Sequence, residues 1–184
     1  FKPNLNNFIE YKLNKLDKSL VNVKTNHSLD QDNKIKINNE EYKIDNNFPW
    51  NKFSQNKIDI YTLNYLNFIN DDHLDKNNTK KIILDWINNN NCKDLISWDP
   101  YPLSLRIINL TRWCINNQDF DEKILNSIYL QLRWLNKRIE YHISGNHLLT
   151  NFKALTYASC LFNSYEANKY FSRGLKQFKK YLER

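Results

Sequence analysis

The segment Tyr141-His142-Ile143-Ser144-Gly145-Asn146-His147 gathers hydrogen-bonding side chains at a break between two apolar helical patterns. Gly145 is one of only two glycines in the chain, so its placement in this break predicts a backbone that needs positive φ or a close approach to a ligand. Asn146 and His147 then open the next helical run, where side chains and free N–H groups can meet an anion. The competing reading is an ordinary helix cap, with the amide satisfying free N–H groups and the imidazole facing solvent. His142 and His147 are five residues apart, about 140° around a helix, so they do not form an i, i+4 zinc pair.

Arg106, Asn109 and Trp113 fall at i, i+3 and i+7 and place a cation, an amide and an indole on one helix face. Such a face suits a sugar groove, because indoles stack on sugar rings and a guanidinium pairs bidentately with a uronate. It also suits a core in which Trp113 packs and Arg106 ties a buried loop or helix end. Trp98 and Tyr101, beside Pro100 and Pro102, read as packing anchors at a helix entry, with sugar stacking by Tyr101 as the alternative. The acidic residues Asp99, Asp119, Asp121 and Glu140 show no pairing of the kind glycoside hydrolysis needs. Cys92, Cys114 and Cys160 are widely spaced and odd in number, which speaks against a disulfide framework or a CxxC site and for small buried residues.

The elements that must position these residues are mainly helical. Leu5, Phe8, Ile9, Leu13, Leu16 and Leu20 predict an amphipathic opening helix. Ile35 and Ile37, then Tyr42 and Ile44, alternate across Asn38-Asn39 and predict a short hairpin. Helical spacing returns through Tyr61, Leu66 and Ile69, and again through Ile82, Ile83, Trp86 and Ile87 up to the asparagine run at 88–91. Pro100 and Pro102 mark a helix entry, and Leu103, Ile107, Leu110 and Cys114 give it a buried stripe reaching about Asn117. Asp121 sits near the start of the next helix, whose apolar face runs from Ile124 through Leu135 to Ile139. Two further helices follow the Tyr141–His147 break, one through Leu148 and Leu155 and one through Tyr170 and Phe178. Antiparallel helix pairs result, as a bundle, a solenoid or an (α/α) toroid, and no repeat near 34 residues chooses among them.

With 184 residues, 41% hydrophobic and 14% aromatic, the chain can bury one sizeable core. No apolar run reaches the roughly 18 residues of a membrane span. The sequence holds no methionine and opens on Phe1, so the natural start is expected upstream and an export signal is not readable. A net charge of +7 favours a polyanionic partner, yet Lys and Asn are abundant throughout and acidic residues are interspersed, so charge alone carries little weight. No RNP-like or zinc-finger signature points to nucleic acid.

Two segments resemble the N-terminal helical domain of the heparinase II/III-like polysaccharide lyase superfamily, whose members act on polymers such as heparan and alginate. The first is Trp98-Asp99-Pro100-Tyr101-Pro102-Leu103-Ser104-Leu105-Arg106-Ile107-Ile108-Asn109-Leu110, similar to a W-x-P-Y-x-x-S-x-R-I-x-N-W pattern with Leu110 in the final place. The second is Tyr141 to Leu149, followed by Asn151 and Lys153-Ala154-Leu155, similar to a G-N-H-L corner. Tyr61 to Leu66 is a weaker match, with Asn64 where relatives often have His. The resemblance covers roughly residues 35–165. It implies residues 1–55 as a lead-in with the hairpin and residues 56–184 as part of an (α/α) toroid, to be followed by more helices and a β-sandwich domain. The fold expected is therefore mainly all-α, an incomplete toroid of antiparallel helix pairs with a short N-terminal hairpin, inactive on its own.

The resemblance implies β-elimination on a uronic-acid polymer, in which the sugar C5 proton leaves, the O4 glycosidic oxygen departs and no water is consumed. A proton α to a carboxylate is poorly acidic, because its removal places a second negative charge beside the first, so the carboxylate must be neutralised. Asn146 would donate to that carboxylate, and His147 would serve as a further donor or as the base on one substrate epimer. Arg106, Asn109, Trp113, Tyr101 and His142 would contact the substrate. The partner tyrosine of such sites is expected beyond residue 184, and neither Tyr141 nor Tyr157 stands in for it. An acidic polysaccharide is the expected partner, with no cofactor, metal, nucleic acid or membrane span, and the family points to an extracytoplasmic setting. The alternatives are a non-catalytic module for acidic glycans and, with less support, a glycoside hydrolase.

Overall fold

The computed structural model describes residues 12–13, 29–30, 32–90, 96–143 and 145–183. These are mainly helical, with six α-helices and two small antiparallel pairs of strands. β2 (Lys34–Ile37) and β3 (Glu40–Lys43) form the expected hairpin, with Ile35 opposite Tyr42. Asn38 and Asn39 both adopt positive φ, 48° and 71°, as a tight turn matched to strand twist requires. Leu29, Ile35, Ile37 and Ile44 drop into the same core as the helices.

The opening helix expected over Leu5 to Leu20 lies outside the described residues except at Lys12–Leu13, and there the chain is strand, not helix. These two residues form β1, paired antiparallel with β4 (Phe162–Asn163), so that Leu13 lies opposite the fully buried Phe162. Cross-strand backbone bonding thus prevails over helical spacing at this point.

α1 (Lys57–Asn64) starts at Asn56, whose side chain accepts from the Ile58 N–H. The run expected through Tyr61, Leu66 and Ile69 is broken. Leu66, fully buried, takes the left-handed conformation with φ 54°, and a short 3-10 helix follows at Asn67–Asn70. Asn109 stabilises this bend by donating to the Tyr65 carbonyl. α2 (Lys76–Asn89) begins at Asp75, which caps the Asn78 N–H, and ends within the asparagine run. α3 (Pro100–Asn117) starts on Pro100, where the missing N–H costs nothing. α4 (Glu122–Asn136) is capped by Asp121, which accepts from the Lys123 N–H, and stops short of Ile139. α5 (Asn146–Ser159) and α6 (Tyr165–Leu182) complete the fold, α6 capped by Ser164 on the Ala167 N–H.

α3 is the central element and packs on α1, the 3-10 helix, α4 and α5. α3 and α5 run parallel, since Tyr101 meets His147, Ser104 meets Asn151 and Arg112 meets Tyr157 in succession. α6 lies against α5, where a Cβ on Gly174 would strike the Thr156 side chain and come within 3.0 Å of the Phe152 carbonyl oxygen. All five tryptophans are buried, which removes every indole from the open surface. Cys114 is buried and Cys160 is only half-buried, its thiol donating to the Thr156 carbonyl; Cys92 lies outside the described residues. None of the helices is long and apolar enough to cross a membrane among the described residues.

Candidate functional site

Gly145 has φ 85° and ψ −142°, a conformation that L-residues with a side chain rarely adopt, and nothing lies within 4 Å of where its Cβ would be. Backbone geometry, rather than crowding, is therefore what this glycine supplies. It precedes α5 without offering a capping side chain, so the first N–H groups of α5 gain no cap from it. Asn146 is the first residue of the helix, exposed, and its side chain has no hydrogen-bond partner among the described residues. An ordinary capping role for Asn146 is thereby excluded, because the cap position belongs to Gly145.

His147 does not face solvent freely. Its ring stacks on Tyr101, with centroids 4.1 Å apart and planes 20° from parallel. Its Nδ1 lies 3.4 Å from Oε2 of Glu140, at ion-pair distance but without a formed hydrogen bond, and is sealed from water. Glu140 is 9% exposed and is itself held: Oδ1 of Asn151 accepts from its backbone N–H at 3.0 Å, and Nδ2 of Asn151 approaches its carboxylate at 3.5 Å. The same Nδ2 reaches Oγ of Ser104 at 3.1 Å. Asn151, on α5, thus ties the irregular segment after α4 to the first turns of α3. A carboxylate facing Nδ1 favours the neutral tautomer with the proton on that nitrogen, which leaves Nε2 as the ring's acceptor.

Tyr101 extends the corner toward α1. It meets Tyr65 edge-on at 6.0 Å, and one turn earlier on α1 the Tyr61 hydroxyl donates to Asp99, which also pairs with Lys57 at 3.3 Å. Burial, with Tyr101 and Tyr61 adding, pushes the Tyr65 hydroxyl up to about 12, and burial and Asp99 likewise raise Tyr61. Both phenols are neutral donors in the physiological range. Asp99 spends its carboxylate on these partners and makes no side-chain cap on α3.

The other expected contacts are placed differently. Arg106 is 0% exposed, with Nε donating to Gln131 at 2.8 Å, Nη1 donating to the Asn64 and Ser97 carbonyls, and the guanidinium 4.1 Å above the Trp86 ring. Asn109 is 4% exposed and Trp113 is 1% exposed. The i, i+3, i+7 face therefore points into the protein, and the tie to a buried loop and helix is the arrangement seen. His142 is exposed and has no side-chain partner among the described residues, while Tyr141 is 54% exposed and receives a hydrogen bond from Arg173 at 2.8 Å. Asn64 is fully buried, donates to the Trp50 and Ile60 carbonyls and accepts from the Trp86 indole, so this position works in the core.

Glu140, Asn151, Ser104 and Tyr65 are the members of the corner that residue spacing did not single out for roles. Glu140 precedes His147 by a full loop, and only the turn at Gly145 folds it back. A separate polar cleft of about 420 Å³, lined by Asn70, Asp72, Lys76 and Asn116 among others, lies elsewhere and includes neither Asn146 nor His147. No group of three or more metal-ligating side chains occurs among the described residues. No family model, curated protein or solved structure matches the chain.

Proposed function

We propose that this chain is the helical part of a polysaccharide lyase of the heparinase II/III-like kind, an incomplete (α/α) toroid that contributes one half of a site for β-elimination on a uronic-acid polymer. The observation that carries the reading is the corner itself: an exposed amide at Asn146, without a partner among the described residues, beside an imidazole at His147 that is stacked on Tyr101 and faced by buried Glu140. The two sequence segments on which the resemblance rests meet there, through Tyr101 with His147 and Ser104 with Asn151.

In the proposed reaction the uronate carboxylate binds at Asn146, whose N–H groups offset the charge that builds up when C5 loses its proton. Free N–H groups at the start of α5 add to the same field. His147 receives the C5 proton on the epimer whose C–H bond faces it, and Glu140 holds its ring in the receptive orientation. The electron pair left on C5 forms the C4–C5 double bond, and the O4 glycosidic oxygen leaves, taking a proton from a residue outside this chain.

The test is product formation by the full-length protein on uronic-acid polymers. Elimination yields a conjugated unsaturated uronate that absorbs ultraviolet light, and Asn146→Ala should lower its rate by about a hundredfold or more. Saturated products with a new reducing end would identify a hydrolase instead. Binding of the polymer that survives loss of both Asn146 and His147, without unsaturated product, would identify a non-catalytic glycan module.

A further inference from the structure

Tyr101 and Arg112 on α3 are eleven residues apart, about three helical turns, and so fall within about 20° of one line. Asn146 and Tyr157 on α5 have the same eleven-residue separation. Because α3 and α5 run parallel, the polar corner is repeated about 16 Å further along by a second pair, Arg112 with Tyr157. Leu105 and Thr150, one turn on from Tyr101 and Asn146, are half-buried between the two.

Arg112 is half-buried, and its guanidinium reaches the Tyr157 hydroxyl and lies 3.4 Å from Oδ1 of Asn109. Its Nε is sealed from water without a hydrogen-bond partner, and no carboxylate pairs with it among the described residues. Two other half-buried cations are matched to acids, Lys80 with Asp119 and Asp121 and Arg133 with Glu166, while the half-buried Arg173 spends its guanidinium on Asn136 and the Tyr141 hydroxyl and has no orphaned nitrogen. Burial pushes the Tyr157 hydroxyl up, so it remains a neutral donor. A cation and a phenol donor, side by side and unmatched by an anion, suit a carboxylate or sulfate with no repulsive neighbour to overcome.

We infer that Arg112 and Tyr157 form a second anion subsite, which holds a carboxylate or sulfate of an acidic oligosaccharide lying along α3 and α5 several sugar units from Asn146 and His147. The inference rests on the lyase reading for the chemistry at the corner and is independent of it for binding. An extended chain with regularly repeated charges is the ligand that can occupy both clusters at once, and each added contact contributes to holding it.

The experiment measures binding of alginate and heparan-sulfate oligomers of two, four and six units to the full-length protein by calorimetry. Wild-type affinity should rise with length for one of the two series. Arg112→Gln should weaken the hexamer by about tenfold or more while leaving the dimer unchanged. Arg112→Lys should fall between the two and keep its salt sensitivity, and Tyr157→Phe should lose a smaller share. If Arg112→Gln proves unfolded, the Lys and Phe variants carry the test alone. Equal losses at every length, no loss at any length, no binding of either series to wild type, or equal competition by RNA oligomers would each overturn the subsite. Length-dependent loss in a protein that yields no unsaturated product would uphold the subsite and overturn the lyase reading. Unsaturated product with no length-dependent loss would do the reverse.

Discussion

The Arg106 cluster and the His147 corner are both made of a nitrogen base, amides and aromatic rings, and they differ in what is left over. Around Arg106, Gln131, the Asn64 and Ser97 carbonyls and the rings of Trp86 and Trp98 take up the guanidinium from several sides, with 0% of it exposed. At the corner, the side chain of Asn146 and Nε2 of His147 have no hydrogen-bond partner among the described residues, while the supporting residues Glu140, Asn151 and Ser104 are bonded to one another. What the Arg106 cluster leaves over, its Nη2, is sealed inside the protein without a hydrogen-bond partner among the described residues, so the cluster holds the fold together and offers nothing to a ligand. A half-satisfied one at the surface, backed by a satisfied layer, is what a binding site requires.

The largest expected effect breaks the first of these regions. Arg106→Leu would strip Gln131 and two buried carbonyls of their donor and should cost about 3 kcal/mol or more in denaturant unfolding, with activity lost only through unfolding. Gly145→Ala strikes the second region through its backbone alone, because its positive φ is strained for alanine although space is open. A loss of about 1–3 kcal/mol should appear in thermal unfolding, together with a weakened response to Asn146 substitution in any activity assay.

Acid separates the regions in a third way. Burial raises the Glu166 carboxyl, but hydrogen bonds from Tyr170, Tyr129 and Arg133 outweigh it and hold the group below its ordinary value. A depressed carboxyl contributes stability above its unfolded pKa and loses it as pH falls through the folded value, so α6 should loosen from α4 below about pH 4. Amide exchange along α6 should then rise before exchange in the α3 core does. The smallest effect is Asn146→Ala, which should shift unfolding stability by no more than about 0.5 kcal/mol, since the exposed side chain bonds to nothing among the described residues. A cost comparable to that of Arg106 would show that Asn146 is structural and would remove the contrast.

Much of this arrangement could be read from residue types. A scarce glycine between two helical patterns is at positive φ, paired asparagines between alternating apolar residues turn the hairpin, and Pro100 and Asp121 start helices where expected. The helical spacing of Arg106, Asn109 and Trp113 correctly placed them on one face, but periodicity cannot say whether a mixed face turns inward, and here Trp86 and Gln131 on neighbouring helices decide it. The left-handed turn at Leu66 was hidden because leucine rarely adopts it; its support comes from Asn109, more than forty residues away. Glu140 was hidden for the same reason, being drawn to His147 by chain reversal rather than by spacing. Strand formation at Leu13 depends on a partner at Phe162, which no local window contains.

The missing side chain at Gly174 makes α6 more than a cover. Because the helix rests directly on Phe152 and Thr156, an added methyl there would act as a wedge, and the neighbouring Arg173 grips both Asn136 and Tyr141. Displacement at this point would pull on Asn136 and Tyr141, the two residues that bracket the segment carrying Glu140, so the C-terminal helix braces the corner from behind.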